Sequence, residues 1–154
     1  MEQEMKDAYF AGLFDGEGCV RINRRQRGKY IEHIQFYTLS QKDGRIIDWI
    51  VRNYGGFVHY GKSSEYRKPV FTWIVTNKKG REIMKRILPF LIYKKDQVEK
   101  TLQFNSLTNR KKGVNQSEME NRDRLMEEVK KLKKVIVPSM FAGSTTKRTD
   151  PKGM

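Results

Sequence analysis

The chain has 154 residues, of which 37% are hydrophobic, enough for one domain with a sizeable core and too many for a disordered segment. Lys and Arg number 32 against 18 Asp and Glu, a net charge of +14 with a pI near 9.9. That surplus asks for a polyanion, nucleic acid first; an anionic membrane surface is disfavoured because no basic amphipathic helix with a Trp- or Phe-rich face appears, and no apolar run reaches the ~18 residues of a membrane span.

The start, MEQEMKDAYF, has no apolar stretch behind a basic opening and does not read as a secretory signal. Residues 6–16, KDAYFAGLFDG, are predicted to form a short helix with unequal faces. Ala8, Ala11, Gly12 and Asp15 follow helical spacing and make a stripe of small residues, while Tyr9, Phe10, Leu13 and Phe14 make the bulky side. A small stripe lets another backbone come close. Either the domain's own sheet or a second helix crosses there.

A strand follows over residues 19–26, with Val20 and Ile22 on one side and Arg21, Asn23 and Arg25 on the other. The single cysteine, Cys19, cannot close an internal disulfide and suits an intracellular, reducing compartment. A loop around Arg27, Gly28 and Lys29 leads to a second strand, Tyr30–Gln41, in which His33, Gln35 and Tyr37 oppose Ile34 and Phe36. A helix is expected over Asp43–Tyr54, ended by Gly55 and Gly56, then strands over Phe57–Lys62 and Val70–Thr76. In the last strand Phe71, Trp73 and Val75 look inward and Thr72 and Ile74 outward.

Asn77 is a candidate cap for the next helix, which Pro89 breaks. PFLIYKK reads as a connection, followed by a helix over Lys95–Leu107 and a linker, NRKKGVNQ. Ser117 and Glu120 fit a capping box for a last helix bearing Leu125, Met126, Val129 and Leu132 on one face. Pro138 stops it, leaving a basic tail. Two hairpins interleaved with helices predict an α+β fold with an antiparallel sheet and helices on one face. The opposite face is expected to carry Arg21, Asn23, Arg25, Gln35, His59 and Thr72, with Arg27 at its end, and to meet a polar anionic partner.

Asp15-Gly16-Glu17-Gly18 lies at the end of the first helix, where unpaired carbonyls favour cations. A carboxylate and a glycine carbonyl there make a hard oxygen site suited to Mg²⁺. Such an ion acidifies a bound water and stabilises a leaving oxygen, the work of phosphodiester hydrolysis. The plainer alternative is a helix stop whose acids face water.

FAGLFDGEG, residues 10–18, resembles the LAGLIDADG signature of homing endonucleases. Ala11, Gly12, Leu13, Asp15 and Gly18 match it, Phe10 and Phe14 fill apolar slots, and Glu17 takes the second acid slot. The predicted element order is also that family's αββαββα core, and the resemblance covers about residues 6–107. It implies a saddle-shaped sheet laid in the major groove of double-stranded DNA, with paired motif helices whose acids hold divalent metal. Glu17, with the Gly16 carbonyl, inherits the metal-ligand role, and Asp15 a structural one. Gln41, in SQK, would position the attacking water, Arg45 would sit at the periphery of the site, and Lys94, or else Lys95, would stabilise charge on the phosphate.

Only one such motif occurs in the chain. Single-motif members work as homodimers, which makes Ala8, Ala11 and Gly12 the expected subunit contact. The implied cofactor is Mg²⁺, with Mn²⁺ able to substitute and Ca²⁺ binding without turnover. The alternatives within the fold are an RNA maturase acting on intron RNA and a DNA-binding regulator that no longer cuts.

Overall fold

The computed structural model describes residues 1–62, 64–106, 115–134 and 138–141. Helix α1 (Gln3–Glu17) runs directly into the hairpin β1 (Gly18–Arg27) and β2 (Tyr30–Gln41). Helix α2 (Gly44–Tyr54), the hairpin β3 (Phe57–Gly61) and β4 (Val70–Thr76), and helix α3 (Asn77–Ile87) follow. Helices α4 (Lys95–Leu102) and α5 (Gln116–Lys131) complete the described elements. The strands form one four-stranded antiparallel sheet in the order β1-β2-β4-β3. This is the predicted α+β architecture, with the αββαββα core and further C-terminal helices.

Local chemistry accounts for most boundaries. The β1–β2 turn needs only Gly28 and Lys29, and Gly28 supplies the positive φ of 60°. Asp43 caps α2 by accepting from the Arg45 backbone N–H at 2.9 Å. Gly55, at φ 71°, ends that helix by donating to Val51 O at 2.7 Å. Helix α1 starts about one turn earlier than predicted. Its polar first turn shows no apolar periodicity, and a tertiary contact orders it: Asp7 is buried and accepts from Gln3 Nε2, Tyr54 Oη and Arg86 Nη2 at 2.9, 2.8 and 2.9 Å.

The core lies between the sheet and the helices. Phe10 and Phe14 of α1 meet Trp73 of β4, Tyr54 of α2 and Met84 and Ile87 of α3, all fully or almost fully buried. Phe10 sits edge-on to Trp73 with ring centroids 5.2 Å apart. Val20 and Ile22 of β1 and Tyr37 and Leu39 of β2 close the layer from the sheet side. Burial on this side and exposure on the other leave one sheet face open, as the strand alternation predicts.

Four sequence expectations are corrected. Gln35 does not belong to the open face: the register pairs Ile22 with Gln35, so it shares the helix-facing side and is only 2% exposed. Its polar groups are satisfied there by Arg81, by His33 O and by Asn77 Oδ1. Asn77 does not cap α3; it adopts φ 50° and uses its side chain to accept from the Gln35 backbone N–H. The cap of α5 is Asn115, which accepts from Glu118 N at 2.8 Å, not Ser117. Helix α4 stops at Leu102 and continues as a 3₁₀ turn over Gln103–Ser106. Most of the linker and the tail from residue 142 on lie outside the described residues.

Candidate nucleic-acid interface and active site

The open sheet face is assembled by register. Cross-strand partners share a face, so Arg21 stands beside Phe36, Asn23 beside Ile34, Arg25 beside Glu32 and Arg27 beside Tyr30. On the other hairpin His59 stands beside Thr72, and Thr72 beside Ser40, whose hydroxyls lie 2.8 Å apart. Arg21, Asn23, Arg25, Arg27 and His59 are exposed and Thr72 half-buried. The structure therefore gathers all the predicted face residues except Gln35. It adds residues of β2 that the sequence reading left out of the face, among them Tyr30, Glu32, Ile34, Phe36 and Ser40. Their signal was the even phase of β2, legible only once its buried phase was known.

Two of the arginines are held in place. The Arg21 guanidinium lies over the Phe36 ring at 5.0 Å, and Arg25 Nη2 donates to Glu32 Oε2 at 3.0 Å. Helix α5 lies along the free edge of β1. Its Asp123 is 3.2 Å from Arg24 and 2.7 Å from His33 Nε2, and its Met126 and Lys130 share a cleft with Asn23 and Arg25.

At the head of this face lies the end of α1. Both acids of the motif fall in its last turn, which contains no basic residue, although the free carbonyls there already make the potential negative. Asp15 resolves its share through the connection that follows α3. Its carboxylate accepts backbone N–H groups from Ile92 (2.7 Å), Tyr93 (3.1 Å) and Lys94 (2.9 Å), and so ties the connection just before α4 to the end of α1. Lys94 Nζ donates to Asp15 O at 2.6 Å, supplying the missing cation at the helix end. Burial pushes the Lys94 ammonium below the usual lysine range, and the charges of Asp15 and Glu17 partly offset this.

Glu17 is different. It is exposed, and among the described residues it makes no hydrogen bond or ion pair. Gly16 beside it is also exposed, and Gly18 follows as the first residue of β1. A Cβ on Gly18 would lie 2.5 Å from the Phe14 carbonyl and ring, so only glycine allows the helix to pass straight into the strand. Because Gly18 pairs with Leu39, the end of β2 bearing Gln41 lies at the same end of the sheet as Glu17. A further cation arrives that the sequence reading did not single out: Lys133, just past α5, places Nζ 3.8 Å from Cys19 Sγ.

Arg45 is placed otherwise. Its guanidinium is turned onto Asp43, with Nη2 2.6 Å from Oδ2, and holds the Asp43 carboxyl down to about 2. Lys95, the alternative to Lys94, is exposed at the first position of α4. Of the expected subunit contact, Ala8 and Gly12 are exposed, but Ala11 is 0% exposed and faces the protomer's own core. Met5, Tyr9 and Gly16 share the open side of α1 with Ala8 and Gly12.

No family model matches the chain, and no curated protein sequence does. Solved structures do match. The archaeal intron-encoded homing endonuclease I-Vdi141I, solved in complex with DNA, is 18% identical with a TM-score of 0.73, over 90% of each chain. The homing endonuclease I-CvuI, solved with a DNA target and Mg in which the DNA is not cleaved, is 21% identical with a TM-score of 0.71, over 88% of this chain and 87% of its own. The LAGLIDADG meganuclease I-AabMI, bound to uncleaved DNA, is 15% identical with a TM-score of 0.63, over 88% of this chain but 47% of its own. The chain thus has the fold of the LAGLIDADG homing endonucleases.

Proposed function

We propose that the protein is a homodimeric, Mg²⁺-dependent endonuclease that cuts both strands of a long, nearly palindromic DNA site. The observation that carries this reading is the division of labour at the end of α1. Asp15 is consumed by three backbone N–H groups, whereas Glu17 stands open beside Lys94 and at the head of a cationic sheet face. An exposed acid at a negative helix end is unfavourable by itself and becomes favourable when a cation joins it.

The donor set fits Mg²⁺. Among the described residues no group of three His, Cys, Asp or Glu side chains could cage a metal. Mg²⁺ does not require one: it takes one or two carboxylates and completes its shell from substrate phosphate and water. Glu17 and the Gly16 carbonyl would hold it, and it would supply Lewis-acid activation and neutralise charge on the phosphate. Mn²⁺ should substitute, and Ca²⁺ should support binding without turnover. In this reading Gln41 orients the attacking water, Lys94 keeps positive charge at the centre, and Arg45 serves the periphery through its pair with Asp43.

Several features support a dimer. A helical glycine costs ~1 kcal/mol against alanine, so it needs a reason. Neither Gly12 nor Gly16 has one inside the protomer, since an added Cβ would meet nothing within 4 Å. Both face outward with Ala8 on the exposed side of α1, and Ile92, 89% exposed, adjoins the end of that helix through Asp15. A second copy crossing there would bring two Glu17 residues together, one for each DNA strand. The match to half of the I-AabMI chain agrees with one protomer standing for half of a longer enzyme.

Incubation with a randomised plasmid library and Mg²⁺, followed by sequencing of cut ends, tests the reading. The expected product is a double-strand break at one recurring, nearly palindromic site with short 3′ overhangs. Glu17→Gln should abolish cutting and leave site binding intact or slightly tighter, because one negative charge beside the phosphates is gone. Wild-type cutting by Glu17→Gln would place the metal elsewhere. Tight binding of RNA with no cutting of DNA under any divalent metal would replace the endonuclease reading with an RNA-binding one.

A further inference from the structure

The anomaly of the open face is an acid. Glu32 lies toward the hairpin end of a face whose other members are arginine, asparagine, aromatic, apolar and small polar residues, where a carboxylate repels the phosphates that supply most non-specific affinity. Fold stability does not explain it, because an exposed ion pair contributes little. Its geometry suggests another use. Oε2 accepts from Arg25 Nη2 at 3.0 Å, and Oε1 lies 3.8 Å from Arg27 Nη1, so one carboxylate spans both arginines of the strand end. The Arg25 and Arg27 side chains remain 57% and 74% exposed while Glu32 is 32% exposed. The acid sits lower, and the guanidiniums stand out above it.

We propose that Glu32 is a positioning residue that makes Arg25 a reader of guanine rather than a phosphate clamp; this rests on the DNA endonuclease reading above. A guanidinium has five N–H donors in a rigid plane. Glu32 engages one at Nη2 and fixes the plane, and the remaining fork matches the paired acceptors O6 and N7 of guanine in the major groove. The trio carries a net charge of +1 in place of the +2 of two free arginines, which lowers its attraction for phosphate and leaves the directional contact dominant. Arg21 is held differently, by the Phe36 ring, and has no acid beside it in the sheet, so the device is particular to the outer part of β1. Arg25 lies seven residues beyond Gly18 along the strand, roughly 23 Å at ~3.3 Å per residue. At ~3.4 Å per base pair that places the guanine about seven base pairs from the centre of the site.

Selection of bound duplexes from a randomised pool in Ca²⁺, with wild type, Glu32→Gln and Arg25→Lys, tests this when combined with a salt titration of non-specific binding. Wild type should enrich a guanine in each half-site at that position. Glu32→Gln should lose roughly ten- to hundred-fold of the discrimination there and keep the other positions. It should also bind unrelated DNA more tightly, with a salt slope steeper by about one. Arg25→Lys should lose the same position with the slope unchanged. Persistence of the guanine in Glu32→Gln, or equal weakening at all sequences, overturns the proposal alone. Failure of wild type to enrich any sequence overturns the endonuclease reading, and this proposal with it.

Discussion

Two neighbouring carboxylates on α1 do unlike work because their partners differ. Both Asp15 oxygens are occupied, Oδ2 by the Ile92 N–H and Oδ1 by those of Tyr93 and Lys94. Asp15→Asn would turn an amide nitrogen toward a backbone donor and remove the charge from the other bonds. It should cost ~1–3 kcal/mol of stability, read as a lower urea midpoint, while any protein that remains folded keeps its DNA-site preference. A midpoint equal to wild type would mean that these three bonds are redundant. Tyr37 offers a pH test. Burial raises its hydroxyl from 10.0 to about 12 despite the 2.7 Å bond to Thr101. The folded state therefore keeps a proton that the unfolded chain releases between these values. Stability is full below pH 10 and falls as pH rises toward 12, by ~3 kcal/mol for this group. Tyr54 shifts in the same direction, through burial and then the nearby Asp7 carboxylate. Tyr37→Phe should thus lessen the alkaline slope by about one proton without abolishing it, as measured by denaturation across pH 9–12.

At the scale of the element, α1 has two faces with separate duties. Phe10, Ala11 and Phe14 build the core, and Ala8, Gly12 and Gly16 are left outside it. Gly12→Leu places a branched side chain where the protomer itself has open space. Its helical content and unfolding midpoint as a monomer should be close to those of wild type. In sedimentation it should nevertheless fail to dimerise, and cleavage should be lost with the dimer, since a second α1 can no longer approach. A Gly12→Leu dimer that still cuts would assign the contact to another surface. Gly18→Ala is the contrasting case, because its Cβ would collide with Phe14 inside the protomer. That variant should unfold more readily whatever its oligomeric state.

Across the whole molecule, one basic open face and one covered face follow from a four-stranded sheet with its helices gathered on one side. The net charge of +14 is distributed widely, and the segment beyond Pro138 adds Lys147, Arg148 and Lys152 outside the described residues. Truncation after Ser139 should leave sequence preference intact and make the salt dependence of DNA binding shallower, since each lost phosphate contact removes ~0.9 from the slope. An unchanged slope would exclude the tail from the interface.

The element order, the α+β class, the glycine-bounded motif at the end of α1 and the basic strand after it were all legible in the chain. They depend on periodicity, turn chemistry and charge, which are local. The face assignment of Gln35, the partner of Asn77 and the burial of Ala11 were not. Strand alternation states which residues are together but not which side is covered, and in β2 both phases contain polar and apolar residues. Only pairing with β1 and docking of α3, with Arg81 and Asn77 meeting Gln35, chose the side. The separation of Asp15 from Glu17 was equally a matter of tertiary structure. A connection more than seventy residues away supplies the three N–H groups that occupy one acid and leaves the other open, because hydrogen bonds are made by proximity in space and not by proximity along the chain.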